Sequence, residues 1–208
     1  MKCPHCKVKL PKGTRFCNAC GTEAVPNSRC LAAVVAAVLL AILASMFLPE
    51  AGSREKARLI LCSNNLKMIG LAVRQYAMDH DDQYPPEVQA LRTLDYLTDP
   101  KVYRCPASSK RPKTGSSFFT NYVYIGAGLM DGGSAGYDLP IAMDAPRNHD
   151  RYITVLFNDG HVHGFSLPRK MTSCVEVLHH LFPDLYQSPE GRLVLENARK
   201  ADGGGAAR

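Results

Sequence analysis

Between Cys30 and Leu48 the chain has no charged residue and only one hydroxyl, Ser45. A helix on the surface of a soluble domain keeps one polar face, and this stretch has none, so a surface helix is excluded. At about 1.5 Å per residue the run reaches roughly 28 Å, near the thickness of a bilayer's hydrocarbon core. The expectation is a transmembrane helix over residues 30–48. Acid is also scarce before it: residues 1–29 hold Lys2, Lys7, Lys9, Lys12, Arg15 and Arg29 against Glu23 alone. That excess supplies most of the formal charge of +6. Under the positive-inside rule it predicts a single-pass protein of the inner (cytoplasmic) membrane, N-terminus cytoplasmic and C-terminal domain extracytoplasmic, although Arg54, Lys56 and Arg58 follow the run closely. A short basic n-region ahead of the apolar run is missing, which disfavours a cleaved signal peptide. GAGLMDGG, residues 126–133, lacks the lysine and following helix of a phosphate cradle, which disfavours nucleotide binding. No Ser/His/Asp or Cys/His set with a nucleophile context is visible, so no enzyme is expected.

What the first residues do have is cysteine. Cys3-Pro-His-Cys6 and Cys17-Asn-Ala-Cys20-Gly21 are two CxxC knuckles. Two residues between thiolates let both sulfurs reach one ion, and four sulfurs complete a tetrahedral site. Cys3, Cys6, Cys17 and Cys20 are the predicted ligands of a structural Zn2+ in a zinc ribbon over residues 1–25, with His5 a bystander. So short a segment cannot bury enough apolar surface to fold unaided, whereas such a metal supplies on the order of 10 to 16 kcal/mol. Its thiolates need a reducing compartment, in agreement with the predicted orientation. CPHCKVKLPKGTRFCNACG resembles the small bacterial zinc ribbons at the ends of membrane proteins. Basic charge permits nucleic-acid binding, but beyond Phe16 there is no aromatic stacking platform, so a cytoplasmic protein partner is the better expectation.

After Pro49, residues Leu59, Cys62, Leu66, Ile69, Val73 and Tyr76 recur at spacings of three and four, which predicts an amphipathic helix. Pro49 and Gly52 mark a kink before it. The acidic, proline-ended DHDDQYPP stops it and reads as a solvated turn rather than a calcium loop. The segment FLPEAGSREKARLILCSNNLKMIGLAVRQYAMDHDDQYPPE, together with His149, nine residues and Asp159-Gly160, resembles the type IV pilin-like proteins, in the pseudopilin-related H-x9-DG group. The resemblance covers residues 31–166. It implies an α+β fold: a long N-terminal helix, here the membrane span, packed on a small antiparallel sheet, preceded by the ribbon. It also implies a structural or assembly role in a bacterial envelope or secretion system, such as type II secretion, with the lipid bilayer and other pilin-like or envelope proteins as partners. Family members carry a basic leader, a cleavage site and a glutamate in the first apolar turn. None is present here, so a permanently anchored protein is expected rather than a processed fibre subunit. The runner-up function is a membrane-tethered regulator acting through its ribbon.

Residues 49–186 would form the pilin-like domain and 187–208 a flexible tail, with Arg192 to Lys200 adding a turn or two of helix. Residues 87–98 predict a short helix, Val102 to Pro106 an edge strand, Phe118 to Ile125 a strand, and Met171 to Phe182 a helix. Ile153 to Phe157 and Val162 to Phe165 predict a hairpin turning at Asp159-Gly160, pairing Leu156 with His163. Cys62 and Cys105 are either a disulfide, worth roughly 4 kcal/mol by the chain-entropy model, or buried thiols, with Cys174 a competing partner. His149, Asp159, His161 and His163 are the remaining constellation. They read as turn, loop and sheet residues, with a divalent metal site the sharper alternative.

Overall fold

The computed structural model describes residues 2–11, 14–23, 28–47, 51–108, 118–132 and 138–204. The chain divides into two units, Met1–Glu50 and Ala51–Arg208. In the first, two cysteine knuckles precede helix α1, Ser28–Phe47. Among the described residues no helix is long and apolar enough to cross a membrane. The transmembrane helix expected over residues 30–48 is therefore corrected, and with it the single-pass inner-membrane location and the assignment of the two ends to opposite sides. The kink expected at Pro49 lies outside the described residues.

The second unit is built on α2, Ala51–Met78. Its three-and-four spacing buries Cys62, Leu66, Ile69 and Val73 at 1% exposure or less, on the face the pattern predicts. Four strands follow, β1 Tyr122–Tyr124, β2 Pro140–Asp144, β3 Tyr152–Phe157 and β4 Val162–Ser166. They form one antiparallel meander in the order β1-β2-β3-β4. The α+β class and the antiparallel sheet agree with expectation. Side chains alternate across a strand. On β3, Leu156 meets Gly70 of α2, while Phe157 packs on Phe182, ring centroids 5.7 Å apart, on the opposite face. Both faces of β3 are thus covered, which explains why Ile153 to Phe157 are all buried, Thr154 among them.

Several boundaries differ from the sequence reading. α3 is confined to Val88–Thr93. Val102 to Pro106 forms turns rather than an edge strand, because its Arg104 amide closes back on the Lys101 carbonyl at 3.1 Å. β2 was not foreseen. The hairpin register is shifted by one: Val155 pairs with His163 and Leu156 with Val162. Gly160 takes φ 89° as the third residue of the loop Asn158-Asp159-Gly160, so the turn is one residue longer than a two-residue hairpin.

The expected flexible tail is instead largely helix α5, Pro189–Gly204, and buries Val194, Leu195 and Ala198. It supports α4, Cys174–Leu181, directly. The Asp202 carboxylate accepts hydrogen bonds from the Cys174 amide at 2.9 Å, the Val175 amide at 3.1 Å and the Ser173 hydroxyl at 2.7 Å. Helix amides at an N-terminus have no partner within the helix, so Asp202 serves as a cap supplied from a distant residue. Replacing it, Asp202→Ala, is expected to cost about 1–3 kcal/mol in urea unfolding of the full chain. Burial pushes the Asp202 carboxyl up, but the bonds from Cys174, Ser173 and Val175 outweigh it and hold the group below its ordinary value. The contribution is therefore complete above the unfolded value of about 3.9 and disappears as pH falls through the lowered folded value. The alanine variant should show a correspondingly weaker loss of stability in acid.

Candidate metal centres

The Cys3, Cys6, Cys17 and Cys20 sulfurs lie within 4.8 Å of one another. Cys3 and Cys20 stand 3.5 Å apart, as do Cys6 and Cys17. The two knuckles repeat one backbone pattern. The Lys7 amide donates to the Cys3 carbonyl at 3.1 Å, and the Gly21 amide to the Cys17 carbonyl at 2.8 Å. Lys7 and Gly21, each four residues after the first cysteine of its knuckle, turn the chain at φ 60° and 69°. A glycine takes this conformation freely; Lys7 takes it at a cost that the closed loop must offset. Bridges Lys2 to Lys9 and Phe16 to Glu23 close each knuckle as a small hairpin. The Thr22 hydroxyl, 3.2 Å from the Cys20 sulfur, is the chief cause of a Cys20 thiol pulled down to about 5. At Cys6 the Val8 amide pulls the same way, but sulfurs of Cys20 and Cys17 push the thiol up to about 12. This group of four cysteines could hold a metal ion, and His5 stands outside it.

The histidine constellation read from the sequence is not one site. His149 precedes β3 and Asp159 follows it, so six extended residues, roughly 20 Å, lie between them. Asp159 Oδ1 contacts His161 Nδ1 at 2.6 Å on an exposed turn and accepts the His161 amide at 2.9 Å, which is turn chemistry. The His163 ring stands edge-on to Phe165 at 4.7 Å. The turn is held to α2 by Arg74, whose guanidinium donates to the Asp159 carbonyl at 3.0 Å.

His149 instead belongs to a different cluster. Its Nε2 lies 3.3 Å from Cys62 Sγ, 3.4 Å from Cys105 Sγ and 3.8 Å from Asp144 Oδ2. All four residues are buried, their donor atoms are within 4.8 Å of one another, and the group could hold a metal ion. Cys62 and Cys105 are free thiols with sulfurs 2.9 Å apart, and Cys174 is a free thiol buried elsewhere. The hydrogen bond from Cys62 is the leading cause of a Cys105 thiol drawn down to about 5, while the same bond and burial push Cys62 far up. Burial raises the Asp144 carboxyl to about 6. Burial alone would lower His149, but bonds to Cys105 and Glu55 and the charge of Asp144 lift it to about 9. Its Nδ1 is 2.9 Å from Glu55 Oε1 on α2. The sequence paired Cys62 with Cys105 as a candidate disulfide, placed His149 in a different constellation and missed Asp144 and Glu55.

Residues 52–96 match a family model described as "Protein of unknown function (DUF1559)". No curated protein and no solved structure matches the chain. The matched segment is nearly all of α2 with α3, so it includes Glu55 and Cys62 but none of Cys105, Asp144 and His149.

Proposed function

We propose that this chain is a non-enzymatic, pseudopilin-like assembly protein of a bacterial envelope or secretion system, with the cysteine ribbon held by a structural zinc ion. The similarity over residues 52–96, the long α2 laid on an antiparallel meander and the H-x9-DG pattern support the pilin-like reading. The observation that carries assembly is the outward side of α2. Leu61, Met68, Leu71 and Met78 follow a seven-residue seam with Asn64 and Gln75 and are 51%, 46%, 66% and 79% exposed. Large apolar side chains in one stripe opposite the buried face mark a surface made to be covered. Other copies of this chain, or related pilin-like chains, are the occupants proposed.

Introducing two charges into the seam, Met68→Asp with Leu71→Asp, should lower recovery of cross-linked oligomers by at least about tenfold, because each lost anchor costs on the order of 1.4 kcal/mol or more. Thermal unfolding of the monomer should hardly change, since both side chains already face water. Unaltered oligomer recovery would refute the assembly reading. The alternative, a regulator acting through its ribbon on a protein partner, draws support from Val8 and Phe16, 48% and 57% exposed.

A further inference from the structure

Cys62 comes from α2, Cys105 from the connection after α3, Asp144 from the end of β2, and His149 from the loop before β3. We infer that Cys62 Sγ, Cys105 Sγ, Asp144 Oδ2 and His149 Nε2 are the ligands of a second, buried structural zinc ion. The geometry and the chemistry of the donors agree. Zinc bonds of about 2.3 Å to sulfur and about 2.0 Å to nitrogen or oxygen give tetrahedral edges of roughly 3.3–3.8 Å. The His149 nitrogen meets the edges to both sulfurs, at 3.3 and 3.4 Å, and needs to close on Asp144 Oδ2, at 3.8 Å, by about 0.5 Å. The sulfurs, at 2.9 Å, need to part by under about 1 Å to sit on the same tetrahedron. Two soft thiolates with an imidazole and a carboxylate are a set that selects zinc over calcium or magnesium.

A second observation points to a cation independently of spacing. Asp144 is 0% exposed, and its Oδ2 has no hydrogen-bond partner among the described residues. A buried, unpartnered carboxylate oxygen costs several kcal/mol unless a positive charge meets it. A disulfide between Cys62 and Cys105 would leave that oxygen facing the His149 ring at 3.8 Å, beyond hydrogen-bond reach. A zinc ion satisfies it together with both sulfurs. The outer sphere fits as well: Glu55 Oε1 accepts from His149 Nδ1–H at 2.9 Å, which fixes the tautomer whose Nε2 lone pair faces the cluster. Binding displaces to solvent the protons held on the two sulfurs and on His149 Nε2, and the ion offsets two of the three negative charges then gathered there. With four protein ligands and no exposed side, the site is closed to substrate and ties α2 to the sheet.

The test is zinc analysis of the full-length chain purified with reductant. In a Cys17→Ser, Cys20→Ser background, which removes the ribbon's claim on metal, one zinc per chain should remain. Adding Cys62→Ser or Asp144→Asn should remove it. Glu55→Gln, at a half-exposed position that leaves the core untouched, should weaken zinc by about 10- to 100-fold in chelator competition. Cobalt loaded into the same background should give thiolate-to-metal absorption that Cys62→Ser abolishes. Zinc content indifferent to all these changes would overturn the inference. So would a chain isolated two protons lighter, whose Cys62 and Cys105 resist alkylation until reduced. Zinc at one per chain in the unaltered protein, unchanged by Cys17→Ser with Cys20→Ser, would count against the ribbon's metal and leave this site standing.

Discussion

Cys17→Ser should unfold residues 2–23 and leave the 51–204 unit folded. Among the described residues the ribbon's buried apolar cluster is Cys3, Leu10 and Cys17, two of which are proposed ligands. Beyond the metal its knuckles rest on a few backbone hydrogen bonds, each worth about 1 kcal/mol net. Ordering some twenty residues costs roughly 1–2 kcal/mol apiece, which that inventory cannot meet. A tetrahedral zinc contributes on the order of 10 to 16 kcal/mol, and without a full thiolate set most of it is lost. Amide dispersion in a heteronuclear NMR spectrum should collapse for these residues alone, and urea unfolding of the larger unit should move by less than about 0.5 kcal/mol, since the two are separate compact units. Retained dispersion in the serine variant would exclude a metal-held ribbon.

Leu156→Ala should destabilise the larger unit by about 2–5 kcal/mol, the range for a leucine lost from a core that cannot collapse around the gap. Leu156 is fully buried on β3, paired with Ala142 and Val162 on its two sides. It fills the notch left by Gly70: a Cβ on that glycine would fall 2.7 Å from Leu156 Cδ1 and 3.3 Å from Cδ2. Gly70→Ala alone gains about 1 kcal/mol of helix propensity and loses about 1–3 kcal/mol to crowding. Combined with Leu156→Ala, the new methyl enters the space the leucine vacated. The double variant should then be more stable than the sum of the singles by about 1 kcal/mol or more, read from urea midpoints at constant m. Strict additivity would mean that α2 and β3 do not interlock here.

The parts of this architecture that the sequence disclosed were those written in neighbouring residues. The two CxxC pairs and the Leu66, Ile69, Val73 stripe are local patterns, and both are realised. Elements escaped when a local cue pointed elsewhere. β2 opens on Pro140, spans five residues and is buried throughout, so neither alternation nor length announced it. The β3–β4 register slipped because Asp159-Gly160 matches a two-residue turn, whereas Gly160 serves as the left-handed third residue of a longer one. α5 is legible only in its middle, Arg192 to Lys200, because its end, Asp202-Gly203-Gly204, looks like a linker; the placement of Asp202 beneath α4 reveals its use. Residues 30–48 illustrate the reverse error, since apolar composition was allowed to stand for a membrane crossing. The Cys62, Cys105, Asp144, His149 cluster was beyond reach for another reason. Its two sulfurs are 43 residues apart, and His149 is 87 residues from Cys62, so no spacing rule brings them together.

The meander order has a further consequence for how the polypeptide is made. Each strand finds its partner in the segment that leaves the ribosome next, so the sheet can grow in step with translation. Its first edge is joined much later: the side-chain amide of Asn197, 72 residues after Ile125, donates to the Ile125 and Ala127 carbonyls just beyond β1, at 3.0 and 2.9 Å. Until then a nascent chain carries a raw margin open to any passing strand, and a message truncated upstream of α5 yields a product that never closes it.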